Sequence, residues 1–198
     1  TEVIRPMPSS TAYRRELGLD DRPVVMYAGN VGFSQSLDLV VGAAMQRPGY
    51  QFVVNGSGSA RASLEESARS GSNVVFGDYQ PIERLSEVLA TGDVHVVPLR
   101  TGLGRVSVPS KTYSIMAAGR PVVAAIDAGT EVTRMVAACD GGVCVPPDDL
   151  DSFVAALDTV LLHPDEAARM GSRAREYVLS IASPGAVAAR YESLIREL

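Results

Sequence analysis

Lys111 is the residue whose surroundings point most directly to chemistry. It lies in the run Val108-Pro109-Ser110-Lys111-Thr112-Tyr113-Ser114-Ile115-Met116-Ala117-Ala118-Gly119-Arg120-Pro121-Val122-Val123-Ala124. The proline-serine start predicts a helix opening at about Lys111. Gly119 and Pro121 end that helix, and Val122-Val123-Ala124 reads as the next buried strand. A helix start presents unpaired N–H groups and the positive end of the macrodipole, so it attracts anions. A lysine there adds a full charge where a cation is disfavoured, which suggests a bound anion; the bland alternative is a surface lysine. The run suggests a nucleotide or sugar-phosphate site at the edge of an α/β sheet. Arg105 and Arg100, in the preceding loop, are candidates to share the anion.

Two glycine-rich turns follow apolar runs. Gly29-Asn30-Val31-Gly32 either lets a phosphate or sugar approach the backbone closely or is a plain strand-to-helix turn. Asn55-Gly56-Ser57-Gly58 resembles the start of a dinucleotide fingerprint, but Arg61 stands where the third glycine belongs. No acidic residue ends a strand about 20 residues further on, so an NAD site is not expected. A generic nucleotide-facing loop remains open. Tyr79 follows the third run and is placed to cover or stack on a base, or is simply an exposed loop tyrosine. Asp78 and Gln80 beside it also suit a turn that caps the next helix.

Other reactive residue types read as structural. Asp148, Asp149 and Asp151 at a helix start are ordinary cap and dipole residues rather than a metal site. His95 lies in a buried-looking strand, and His163 precedes a proline at a helix end. Cys139 and Cys144 match no paired metal-ligand spacing and read as buried thiols. No metal site is expected.

These residues need a scaffold, and the chain spells one out. Apolar runs at 24–28, 51–54, 73–76, 93–97, 122–126 and 142–145 read as strands. Helical patterns are expected at 11–19, 36–45, 59–70, around Val132-Met135-Val136, from Asp148 to Leu162, from Pro164 to Tyr177, and from Pro184 to the C-terminus. Pro81 fits the first position of another helix, whose stripe is Ile82, Leu85, Val88 and Leu89, closed by Gly92. Strands alternating with helices imply a parallel sheet with right-handed crossovers. Near-continuous valine runs imply burial on both faces. Every unusual loop follows a strand, so all share the rim where such sheets bind ligands.

Composition agrees. A chain of 198 residues that is 46% hydrophobic can bury a sizeable core, and the absence of tryptophan makes that core mainly aliphatic. The net charge of −5 argues against nucleic acid or an anionic membrane as the main partner. No apolar run reaches the roughly 20 residues that span a bilayer, and residues 1–7 lack a signal pattern. With only two cysteines, a reducing compartment is the simpler reading.

The order of these segments resembles the C-terminal, donor-binding half of a GT-B glycosyltransferase of the large retaining family 4, from about Arg22 to Leu198. Tyr27-Ala28-Gly29-Asn30, Val54-Asn55-Gly56-Ser57-Gly58, Gly92-Asp93-Val94-His95-Val96-Val97-Pro98-Leu99 and Met116-Ala117-Ala118-Gly119-Arg120-Pro121-Val122-Val123-Ala124 carry the resemblance. It implies a Rossmann-like three-layer domain with a parallel sheet of about six strands. Residues 1–21 would be a linker and lead-in helix, 22–183 the nucleotide-sugar-binding domain, and 184–198 a helix crossing back to a missing N-terminal acceptor domain. Tyr191, Leu194 and Ile195 on that helix are then expected to be exposed.

The resemblance implies a UDP- or GDP-linked sugar as substrate, no separate cofactor, and a glycan or lipid-linked acceptor. The intact protein would be cytoplasmic, or peripheral to the inner face of the membrane. Gly29, Asn30, Gly32, Ser110, Lys111 and Arg105 would lie at the diphosphate. Gly56, Tyr79, Gln80 and Ser114 would lie at the base and ribose. There are departures: Asn30 and Gln35 occupy positions where many members carry an arginine and a lysine, and Val106 and Ser114 replace two glutamates. Ser114 would hold a ribose hydroxyl less strongly than a carboxylate. A sugar-nucleotide epimerase of similar architecture and a non-catalytic sugar-nucleotide-binding domain are the alternatives.

Overall fold

A computed structural model of the chain describes residues 3–196 except 70, 72 and 107, and excludes the side chain of Arg105. Six strands form: β1 (Val24–Ala28), β2 (Gln51–Asn55), β3 (Val74–Gly77), β4 (Val94–Pro98), β5 (Val122–Ala125) and β6 (Gly142–Val145). They make one parallel sheet in the order β3-β2-β1-β4-β5-β6. Every residue of β2, β4 and β5 is buried, as expected for strands covered on both faces.

Around the sheet lie α1 (Ala12–Glu16), α2 (Asp38–Gln46), α3 (Arg61–Ala68), α4 (Leu85–Thr91), α5 (Lys111–Ala117), α6 (Glu131–Cys139), α7 (Leu150–Leu161), α8 (Pro164–Ala182) and α9 (Pro184–Arg196). One face packs Val25, Tyr27, Phe52 and Val54 against α2, α3 and α7. The other face packs Val97, Val122 and Ala124 against α5, α6 and α8, and Met26 and Val53 against α1 and α4. Burying each such side chain stabilises the fold by about 1.5–3 kcal/mol. The three-layer α/β architecture is therefore as the sequence implies. The N-terminal segment joins the core too, for Ile4 and Tyr13 are buried.

The strand order reverses between β1 and β4. β1 and β2 pair in register from Val24↔Gln51 to Ala28↔Asn55, so their following glycine turns lie side by side. β1 and β4 pair at Val25↔Val94 and Met26↔His95. The carboxyl ends of β1 and β4 thus flank the switch point, where open α/β sheets hold ligands.

Some local expectations change. Pro81 precedes a 3-10 turn (Ile82–Arg84) rather than opening α4, and Ile82 is exposed while Val88 and Leu89 are buried. The cap of α7 is Asp149, whose side chain accepts from the Ser152 N–H; Asp148 does something else, described below. Gly119, at φ +71, follows the last residues of α5 as expected of a C-terminal glycine. Among the described residues no helix is long and apolar enough to cross a membrane.

Candidate functional site

The site begins where two glycine turns interlock. The Gly29 N–H donates to Asn55 O at 2.9 Å, and the Val31 N–H to Ser57 O at 2.9 Å. A Cβ on Gly56 would lie 1.9 Å from Gly29 O, so only glycine allows the turns to touch. Gly29 itself, at φ +145, leaves room for a cation: a Cβ there would lie 3.0 Å from Lys111 Nζ.

Lys111 reaches back from the first residue of α5 to this turn. Its ammonium lies 3.7 Å from the centre of the Tyr27 ring. Burial pulls its pKa down from 10.5 to about 7. α5 has only seven residues, and Ser110 makes no side-chain cap bond. The positive character here therefore comes from the ammonium more than from a helix dipole, contrary to the sequence expectation.

Two adjoining cavities open on Lys111. One, of about 160 Å³, is bounded by Gly29, Asn55, Tyr79, Gln80 and Ser114, with an apolar wall of Leu85, Val88, Leu89 and Ile115. The other, of about 350 Å³, is bounded by Gly29, Asn30, Gln35, Val108, Pro109, Ser110 and Ser114. Gly29, Lys111 and Ser114 belong to both, so the ammonium sits at their junction. Among the described residues neither lining includes an Asp or Glu. One ammonium faced by amides, hydroxyls and backbone can attract a small anion and hold a flat apolar group beside it.

The expected residues divide accordingly. Gly29, Asn30, Ser110, Lys111, Tyr79, Gln80 and Ser114 come together around the two cavities. Gly32 and Gly56 bound neither. Gly32 donates its N–H to Gln35 Oε1 at 3.0 Å, and Gly56 is covered by Gly29. Arg100 turns away, donating to Phe33 O at 2.8 Å and pairing with Asp38 at 3.0 Å. Arg105 ends a 3-10 turn (Leu103–Arg105), and its side chain lies outside the described residues.

Tyr79 is 57% exposed at the mouth of the smaller cavity. Gln80 is held by Arg84 and by the backbone of Asp78. Arg61 fills the space of the missing third glycine, donating to Gly77 O at 3.2 Å and pairing with Glu65 and Asp78. Sequence reasoning missed Tyr27 as the seat of the ammonium and the wall from α4, whose stripe reads only as core.

The other reactive types are structural. His95 is fully buried, its Nε2 is 2.8 Å from Leu89 O, and burial lowers its pKa to about 4. Both thiols are half-buried and free, with Cys144 pushed up to about 11 by burial. Among the described residues no group of three or more His, Cys, Asp or Glu could hold a metal ion. A larger cavity of about 590 Å³ lies at the amino ends of the strands, beside Pro23, Asp93 and Pro121. There Arg14 is engaged by Asp93 and by backbone carbonyls, leaving it little free charge for a ligand.

Comparison with known proteins agrees with this fold. An Escherichia coli (strain K12) protein named as the colanic acid biosynthesis glycosyl transferase WcaI is 33% identical over 172 residues, covering 84% of this chain and 41% of that protein. A Mycolicibacterium smegmatis protein named as a GDP-mannose-dependent alpha-(1-6)-phosphatidylinositol monomannoside mannosyltransferase is 30% identical over 197 residues, covering 90% of this chain and 49% of its own. The chain thus spans about half the length of these relatives or less. The solved structure of Anabaena HepE in complex with UDP-glucose has the same fold, with a TM-score of 0.83 over all of this chain and 55% of that one, at 15% identity. Residues 22–163 match the family described as Glycosyl transferases group 1, and the chain belongs to that family, as the C-terminal domain of its GT-B fold.

Proposed function

We propose that this chain is the nucleotide-sugar-binding half of a retaining glycosyltransferase. The observation that carries the reading is the Lys111 ammonium at the junction of two cavities at the sheet's switch point. The base and ribose would occupy the smaller cavity, against Tyr79, Gln80, Ser114 and the α4 wall. The diphosphate would meet Lys111, Ser110 and the backbone of Gly29 and Asn30, and the sugar would extend into the larger cavity. During transfer, the bond between the anomeric carbon and the diphosphate breaks, the acceptor hydroxyl oxygen bonds to that carbon on the same face and gives up its proton to the departing phosphate, and negative charge grows on that phosphate as it leaves. An ammonium already in place stabilises that charge.

The relatives' names support a UDP- or GDP-linked donor, for one is GDP-mannose-dependent and one solved neighbour holds UDP-glucose. The nucleotide sugar is the substrate, and the reading assigns no separate cofactor. The acceptor, a glycan or a lipid-linked sugar, would be bound by a second domain packed against the exposed face of α9. An enzyme of this kind would work in the cytoplasm or against the inner face of the membrane.

Calorimetry of the 198-residue chain with UDP-, GDP- and ADP-sugars tests the donor reading. At least one should bind, and Lys111→Ala should weaken it by roughly tenfold to a hundredfold, the worth of one charge-assisted contact. Equal affinity in the variant would remove Lys111 from the site. The lack of carboxylates in the lining favours a second reading, a domain that binds the nucleotide sugar without turning it over. Transfer or hydrolysis by the longer protein would exclude it.

A further inference from the structure

We propose that Asp148 and Asp127 are positioning residues, a pair of carboxylates that clamp the loop leading into Lys111. The clamp matters to ligand binding only if the donor site above is correct, so the inference rests on that reading.

Residues 99–110 join β4 to α5 and supply Leu99, Val108, Pro109 and Ser110 to the larger cavity. Apart from one 3-10 turn the loop's described residues are irregular, so much of their backbone needs partners from elsewhere. Two side chains from neighbouring strand ends provide them. Asp148, after β6, accepts at Oδ2 from the Thr101 N–H at 3.0 Å and from Thr101 Oγ1 at 2.9 Å. Its Oδ1 accepts from the buried Ser36 hydroxyl. Asp127, after β5, accepts at Oδ2 from the Gly102 N–H at 2.9 Å and the Gly104 N–H at 3.2 Å.

Neither carboxylate forms an ion pair among the described residues. Among the described residues they accept from three loop N–H groups and two hydroxyls. Asp148 holds φ +57, where aspartate is strained and glycine is at ease. A cap role does not require this, because Asp149 makes the α7 cap. Gly104 is seated tightly as well: a Cβ there would lie 2.9 Å from both Ile126 and Thr130. On the other flank Arg100 ties the loop to the turn after β1, through Ser34 O and Phe33 O. The clamp therefore holds residues 100–104 between the turns after β1, β5 and β6, at the start of the loop that leads to Ser110 and Lys111. A binding-competent loop that is only partly populated weakens affinity by the same fraction.

Asp148→Gly removes the carboxylate while relaxing the backbone at φ +57. The inference expects faster amide exchange at Thr101 and about three- to tenfold weaker binding of the UDP- or GDP-sugar that the wild type binds. Asp148→Asn keeps an acceptor for Thr101 and should restore most of the affinity. Thr101→Val, which leaves Asp148 in place, should weaken binding in the same direction. Asp127→Ala should speed exchange at Gly102 and Gly104 with a similar loss. Wild-type affinity and wild-type exchange in Asp148→Gly would overturn the proposal. A wild-type chain that binds no nucleotide sugar would instead overturn the donor reading, while exchange at Thr101 would still decide the clamp.

Discussion

The ammonium of Lys111 lies 3.7 Å from the centre of the Tyr27 ring. A π face is a partner that does not neutralise: it is worth about 2 kcal/mol to a desolvated cation and leaves the charge available. Burial without a carboxylate is what lowers the pKa of Lys111 to about 7. The site thus holds a cation whose charge is only half retained at neutral pH and whose missing counter-charge a diphosphate would supply.

Binding should therefore take up a proton. The ammonium form is favoured by the anion, so the pKa of Lys111 rises on binding, and protons are taken up at pH values between the free and bound pKa. Affinity should fall as pH rises above about 7, approaching tenfold per unit. A nucleoside diphosphate sugar is the right ligand because its diphosphate does not itself titrate there. Calorimetry at about pH 8 in buffers of different ionisation enthalpy should report uptake approaching one proton, and almost none at about pH 6. A buffer-independent enthalpy at the higher pH would contradict this account of Lys111.

The same burial should make Lys111 a burden on the folded domain. Its folded pKa is depressed, so charging it disfavours folding. The penalty is absent above the unfolded value of 10.5, grows as pH falls to about 7, and is constant below. Lys111→Met should raise stability at about pH 6 by about 1–3 kcal/mol, while weakening nucleotide affinity by the roughly tenfold to hundredfold expected of Lys111→Ala. Denaturant melts across pH should show the gain shrinking between about pH 7 and 10. A Met variant less stable than wild type at every pH would mean that the contact with Tyr27 outweighs the desolvation.

The glycine turns make a separate test. Gly56→Ala places a Cβ 1.9 Å from Gly29 O at φ +144. The two strand ends must separate or the turn must change conformation. A loss of about 3 kcal/mol or more is expected. Gly185→Ala, where nothing lies within 4 Å, should change stability by less than about 0.5 kcal/mol. Urea titration of both variants checks the contrast.

The legible and illegible parts of this chain differ for a physical reason. Valine runs and glycine turns are local signals, and they placed all six strands and the turns that follow them. Lys111 was legible because a cation at a helix start is locally out of place. What periodicity reports is burial, not the identity of the neighbour. Tyr27 therefore read only as strand, and Leu85, Val88 and Leu89 only as core, although they also wall a cavity. Arg100 was ambiguous because an arginine can bind an anion or pair with a carbonyl and a carboxylate, and here it does the latter. Asp148 and Asp149 are adjacent and chemically identical, yet one caps a helix and the other clamps a loop 47 residues away. Only the backbone at φ +57 separates their roles.

Among the described residues α9 contributes none to the core, and the spacing of its large apolar residues puts them on one face. Val187, Tyr191, Leu194 and Ile195 follow helical spacing and are 40–68% exposed. A stripe with that period forms where a helix packs against something, and in the proposed function that is the acceptor half of a longer protein. The double substitution Leu194→Ser with Ile195→Ser should then leave the stability of the 198-residue chain within about 0.5 kcal/mol of wild type, because those side chains bury little here. In the longer protein the same pair should lower the melting temperature, since each would remove a buried leucine or isoleucine worth about 2 kcal/mol or more. Scanning calorimetry of both lengths reads the difference. An equal effect, or none, in the two lengths would mean that α9 does not carry the contact between the halves.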